Sequence, residues 1–270
     1  MGFMPTADLG DVQLHYKERG EGPPVLGVMG FGLDQRFWAS QIPAVIGTHR
    51  FITFDNRAVG RSSGPPPTSI EEMADDGLRL LDHLDIEKTV LFGVSMGGTI
   101  AQRMILADPD RFSALILGIT WARPNDFMRR QHELGRLIIR VGGPEVMAQS
   151  ALVRMFTPNF FEVAGEMIDQ MVAAQFDEGG SVPASVEVLL AQIDALEKHD
   201  TLAELGDIDC PTLVFGGKMD VMVPGFGSEE IAAAIPGAQL TMFETGHGCM
   251  VEEMEAVNAL ISGFLSSLPR

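Results

Sequence analysis

The chain predicts an α/β fold: a mostly parallel, doubly wound sheet with an inserted helical cap. Three observations carry that expectation. Apolar runs of strand length alternate with helical or loop segments, the pattern of a parallel sheet wrapped by helices. Residues 123–203 break the alternation with helical segments rich in Met, Phe, Leu and Ala and no strand pattern. At one strand-to-helix seam, in GVSMGG, glycines crowd around a single serine, Ser95.

The strand series begins with DVQLHYKERG, PPVLGVMG, RFITFDNR and KTVLFGVS and continues with FSALILGIT, PTLVFGG and AQLTMFE. Helices are expected over 37–46, 70–84, 96–107, 228–235 and 252–265, with Asp108-Pro109 ending the one that follows the serine. Residues 1–122 and 204–270 then form the core domain and 123–203 the cap. Breakers at Gly142-Gly143-Pro144, Thr157-Pro158 and Gly179-Gly180 divide the cap into about four helices with mobile joints. Its Met and Phe side chains are expected in the core rather than in a pocket.

Composition narrows the function. With 270 residues, 46% of them hydrophobic, the chain can bury a sizeable core. A net charge of −18, from 37 acidic and 19 basic residues, argues against a nucleic-acid partner, because phosphate binding needs a basic stripe. Cys210 and Cys249 form no CxxC pair and suit a reducing cytoplasm, where the protein is expected. No N-terminal basic and apolar pairing marks a signal peptide, and the apolar runs are too short for a membrane span.

The glycines around Ser95 need a reason. A helix-capping serine requires one oxygen and no glycine on either side. In G-x-S-x-G, here Gly93-Val94-Ser95-Met96-Gly97, a sharp turn lifts the serine oxygen clear while glycines let backbone approach closely. Such a nucleophile needs a base and an acid to orient that base. Of six histidines, His83 lies in a helix, His132 and His199 in the insertion, and His15 and His49 in an early strand and loop. Only His247 directly follows a late strand, where the strand ends of a parallel sheet build sites. Asp220 follows PTLVFGG and is the expected acid, although an aspartate there is by itself an ordinary turn residue. Backbone N–H groups of Met96 and of Phe31, between Gly30 and Gly32, are the expected oxyanion donors.

These motifs together carry a resemblance. The MGFG loop followed by Trp38, FDNRAVGRSS at 54–63, GVSMGG, GGKMDVMVP and TGHG resemble the α/β-hydrolase superfamily over essentially the whole chain. The order Ser95, Asp220, His247 is also that family's order. Among its branches the chain looks most like soluble bacterial carboxylesterases and enol-lactonases, and its GVSMGGTIAQ is similar to methyl esterases acting on polyketides. The resemblance implies a serine hydrolase of carboxylic esters or lactones that forms an acyl-enzyme on Ser95, with water as acceptor and no cofactor.

Two departures stand out. Many relatives have His-Gly where this chain has Met29-Gly30, and glycine where it has Ala58. A methionine there makes the pocket floor less polar and favours an apolar acyl or alcohol portion. The pocket is expected to include Met29, Gly30, Trp121 and Val221.

Other readings use the same residues. Epoxide hydrolases and haloalkane dehalogenases would need aspartate at Ser95. Carbon–carbon bond hydrolases commonly place tryptophan soon after the histidine, and GHGCMVEE has none. Perhydrolases use the same triad but often with a different oxyanion loop. A ligand-binding receptor on this scaffold would turn over slowly or not at all. No H-x-x-x-H, H-x-x-E-H or G-x-x-x-x-G-K-[ST] occurs, so neither a metal nor a nucleotide site is expected.

Overall fold

The computed structural model describes residues 5–176 and 184–269; the Gly179-Gly180 breaker lies outside them. Among the described residues eight strands form one sheet: β1 (Thr6–Asp8), β2 (Gln13–Arg19), β3 (Pro24–Val28), β4 (Arg50–Phe54), β5 (Thr89–Val94), β6 (Phe112–Gly118), β7 (Thr212–Gly217) and β8 (Gln239–Phe243). Their spatial order is β1-β2-β4-β3-β5-β6-β7-β8. β2 is antiparallel to both neighbours, and every pairing from β4 to β8 is parallel. The short edge strand β1 escapes prediction because three residues carry no readable period.

The helices are α1 (Ile42–Ile46), α2 (Ile70–His83), α3 (Met96–Ala107), α4 (Asp126–Met155), α5 (Pro158–Phe176), α6 (Val186–Lys198), α7 (Phe226–Ala234), α8 (Cys249–Glu252) and α9 (Met254–Ser267). Two expected helices are each split. Residues 37–46 become a 3₁₀ turn, Gln35–Trp38, followed by α1, whose second residue Pro43 has no N–H to continue a preceding helix. Residues 252–265 belong to α8 and α9, separated at Glu253, whose φ of −123° and ψ of 43° are not helical.

Period-2 alternation on the central strands sends their side chains into two cores. Leu26, Val28, Leu91, Leu115 and Val214 pack with residues of α2, α3 and α7. Val25, Val90, Phe92, Ile116 and Phe215 pack with Trp38, α1 and α9 on the opposite face. Trp38 sits edge-on to Phe92 and Phe51, with ring centroids 4.6 and 5.4 Å apart. The central strands β5, β6 and β7 are almost wholly buried because both faces are covered.

Between β6 and β7 the described residues form α4, α5 and α6, and two of the expected breakers fall where helix is interrupted: Thr157-Pro158 at the start of α5 and Gly142-Gly143-Pro144 inside α4. Gly143, at φ 70° and ψ −170°, is not helical and divides α4 into two helical segments immediately before Pro144, and Ala164, at φ −134° and ψ 17°, interrupts α5 in the same way. Among the described residues no helix is long and apolar enough to cross a membrane.

Candidate active site

Strand order decides where a site can form. From β3 the chain moves to β4 on one side and then crosses to β5 on the other, so a crevice opens at the C-terminal ends of β3 and β5. Ser95 follows β5, and the Met29–Gly32 loop follows β3. The two loops touch: a Cβ on Gly30 would stand 3.1 Å from that of Ser95.

Ser95 has φ 54° and ψ −125°, a left-handed conformation that costs a non-glycine residue about 1–3 kcal/mol. Neighbouring structure holds it there. Its N–H donates to Gly118 O at 2.9 Å, and its carbonyl accepts the Thr120 hydroxyl at 2.7 Å. A Cβ on Gly97 would collide with the Val28 carbonyl oxygen, and one on Gly98 would lie 2.5 Å from the Thr120 side chain. The glycines in GVSMGG thus allow α3 to start against β3 and β6. A larger residue would push the turn away from the sheet.

The structure brings Ser95, Asp220 and His247 together. His247 Nε2 lies 3.0 Å from Ser95 Oγ, and His247 Nδ1 lies 2.7 Å from Asp220 Oδ2. Asp220 and His247 are buried. Asp220 Oδ1 accepts the N–H groups of Met222 and Val223, each at 2.8 Å, which pins the carboxylate in a turn. A carboxylate only accepts, so it places the ring proton on Nδ1 and leaves Nε2 as an acceptor for the serine. The loops carrying Asp220 and His247 are laced by Lys218 N–H to Phe243 O at 2.8 Å and Met219 N–H to Thr245 O at 3.0 Å.

Among the described residues the N–H groups of Phe31 and Met96 have no hydrogen-bond partner, as an oxyanion site requires. The Phe31 loop is anchored around its free N–H. Asn56 Nδ2 donates to Met29 O, Gly32 N–H donates to Gln192 Oε1 on α6, and Gln35 N–H donates to Asp55 Oδ1, each at 2.9 Å. Burial pushes the Asp55 carboxyl up to about 6. Ala58, in the left-handed region at φ 56°, takes the conformation that glycine would adopt without strain.

A cavity of about 180 Å³ lies over Ser95 and His247. Met29, Gly30 and Phe31 line it from the core, as do Pro144, Met147, Ala151 and Met155 from α4. The spacing of these α4 residues puts them on one helical stripe. The cap methionines expected in the core, Met147, Met155 and Met171, instead line this space. Their helical periodicity was readable, but not which way the stripe faced.

Two expected pocket residues lie elsewhere. Ile119, at φ 46°, turns the chain after β6, so Ile119 borders the cavity while Trp121 is buried in the core on the α3 side. The turn closed by Asp220 brings Met222 to the cavity and leaves Val221 half exposed. Cys249, although near His247, is fully buried, and burial pushes its thiol well above the usual range. Among the described residues no group of His, Cys, Asp or Glu is placed to hold a metal ion.

Comparison with known proteins agrees with this architecture. The chain is 31% identical over 270 residues to a protein of Azorhizobium caulinodans that carries the name carbamate hydrolase RutD, covering 98% of this chain and 99% of that one. The enol-lactonase structure from Burkholderia xenovorans LB400 superposes with a TM-score of 0.88 at 26% identity, covering 97% of this chain and 100% of that one. A thermophilic esterase from Thermogutta terrifontis superposes with a TM-score of 0.84 at 30% identity, over 97% of this chain and 96% of that one. All three names are names of hydrolases, and the model of the alpha/beta hydrolase family matches residues 27–260, from β3 into α9. The serine elbow, the strand order and the near full-length likeness therefore have a common origin: this chain is a hydrolase belonging to the alpha/beta hydrolase family.

Proposed function

We propose that this hydrolase cleaves an uncharged carboxylic ester or lactone with a compact apolar acyl portion, through an acyl-enzyme on Ser95. One observation carries the reading: the continuous path from Ser95 Oγ through His247 to Asp220, at 3.0 and 2.7 Å. In the proposed cycle Nε2 takes the serine proton as Oγ attacks the carbonyl carbon. The Phe31 and Met96 N–H groups receive the developing oxyanion. Collapse of the tetrahedral intermediate breaks the acyl–oxygen bond, and His247 gives its proton to the departing alkoxide. Water, deprotonated by the same nitrogen, then attacks the acyl-enzyme; its collapse releases the acid and returns the proton to Ser95.

The cavity supports the substrate class. Among its described lining residues there is no Lys or Arg, so a carboxylate deep in the substrate would have no counter-charge. Gln41, the one amide among them, already donates to Met250 O at 2.8 Å. The relatives' names span carbamate, lactone and ester hydrolysis, and all three bonds are cleaved by water at a carbonyl carbon.

Two measurements test the proposal. A fluorophosphonate should label Ser95 and abolish turnover of p-nitrophenyl acetate; labelling at another serine, or none while activity persists, would refute the mechanism. The cavity of about 180 Å³ is slightly larger than one of about 150 Å³ that holds benzene. The value of kcat/KM should therefore rise from acetate to about hexanoate or benzoate, each fitting methylene adding up to about 0.8 kcal/mol, and fall towards palmitate. A lactone and an aryl carbamate belong in the same panel. A rate climbing steadily to palmitate, with activation at an oil–water interface, would contradict an enclosed pocket.

A further inference from the structure

The joint between α4 and α5 is tied to the loop that carries His247. Gly248 donates its N–H to Met155 O at 2.8 Å, and Gly246 donates its N–H to Glu252 Oε1 at 3.0 Å. The same carboxylate accepts the Thr157 hydroxyl at 2.5 Å and the Thr157 N–H at 3.3 Å through Oε2. The N–H groups on either side of His247 are therefore held by the joint, one directly by Met155 and one through Glu252 and Thr157. The approach is close enough to require glycine. A Cβ on Gly246 would stand 2.5 Å from Met155 O, and one on Gly248 would overlap the Phe156 ring. Phe156 and Thr157 are buried, and Met155 borders the cavity, so this joint is also part of the pocket wall.

We infer that Glu252 is a positioning residue that couples the seating of the cap to the alignment of His247 with Ser95. It touches neither serine nor cavity and acts through the peptide on the N-terminal side of the histidine. With Met155–Thr157 seated, both flanking N–H groups are fixed and Nε2 faces Ser95 Oγ. If this joint lifts, one movement releases both anchors, and the serine loses the alignment of its base. The inference rests on the proposed role of Ser95 and His247.

The test compares Glu252→Ala, Glu252→Gln, Thr157→Val and Thr157→Ser, with active sites counted by fluorophosphonate titration. Glu252→Ala should lower kcat per titrated site for p-nitrophenyl acetate by about 10²-fold while leaving KM nearly unchanged, as a displaced catalytic group does. Glu252→Gln keeps one acceptor oxygen and should retain more activity. Thr157→Ser should stay near the wild type, and Thr157→Val should fall below it. Combining Glu252→Ala with Thr157→Val should be no slower than Glu252→Ala alone, because both break one connection. A purely structural role would reduce the titrated fraction or the melting temperature and leave kcat per site intact; that result, or additive losses, overturns the inference. If Glu252→Ala does not fold, the comparison of Thr157→Val with Thr157→Ser decides by the same criterion. Failure of wild-type Ser95 to take the fluorophosphonate would instead remove the reading on which the inference rests.

Discussion

Ser95→Ala is expected to lower kcat by about 10⁶-fold, and His247→Ala by a similar factor, as in serine hydrolases whose triad members act as one unit. The two losses should not multiply in the double variant, since removing either residue leaves the other without work to do. Folding should survive the serine change. The turn is held by Ser95's main-chain bonds to Gly118 and Thr120 and by the space at Gly97 and Gly98. Its hydroxyl has His247 as its side-chain partner. Alanine at φ 54° bears the same strain as serine. Steady-state kinetics with a thermal melt on each variant would check this. Ser95→Ala retaining activity within about a hundredfold of wild type would identify another nucleophile.

Asp220→Asn should cost about 10⁴-fold in kcat, the scale seen where an amide replaces the carboxylate of such a triad. The geometry gives the cause. Oδ1 accepts two N–H groups, from Met222 and Val223, at 2.8 Å. Asparagine keeps an oxygen there only by turning its NH₂ towards His247 Nδ1. That nitrogen must then accept, the ring proton moves to Nε2, and the serine faces a donor instead of a base. The flipped amide restores the tautomer but leaves two donors facing an NH₂, at about 1–3 kcal/mol for each unsatisfied buried group. Neither orientation serves both sides. A pre-steady-state burst with p-nitrophenyl acetate would locate the loss in acylation; near-normal acylation would mean that another group orients His247.

Much of this arrangement could be read along the chain. Ser95 announces itself because a sharp turn against neighbouring strands demands small residues at fixed offsets, and Gly93, Gly97 and Gly98 are local signals. Asp220 and His247 follow strands whose apolar runs are equally local. In a parallel sheet all such strand ends lie on one side, so three residues far apart in sequence could be assigned to one crevice before any coordinates.

Side-chain direction beyond the strand ends was another matter. Trp121 and Val221 were misplaced because a left-handed turn at Ile119 and an aspartate-closed turn after Asp220 rotate the following side chains, and periodicity stops where regular structure stops. The α4 stripe from Pro144 to Met155 was legible as helical, yet its choice between core and cavity depended on how α4 docks. Glu252 and Gln192 had no sequence signal. Their partners, Thr157 and Gly246 for one and Gly32 for the other, are distant in the chain or reached only around a folded loop. Strand period, turn chemistry and glycine spacing are short-range properties that one stretch of chain carries within itself. The cavity wall and the bonds joining cap to catalytic loops arise where separate stretches meet, so packing of the whole molecule settles them.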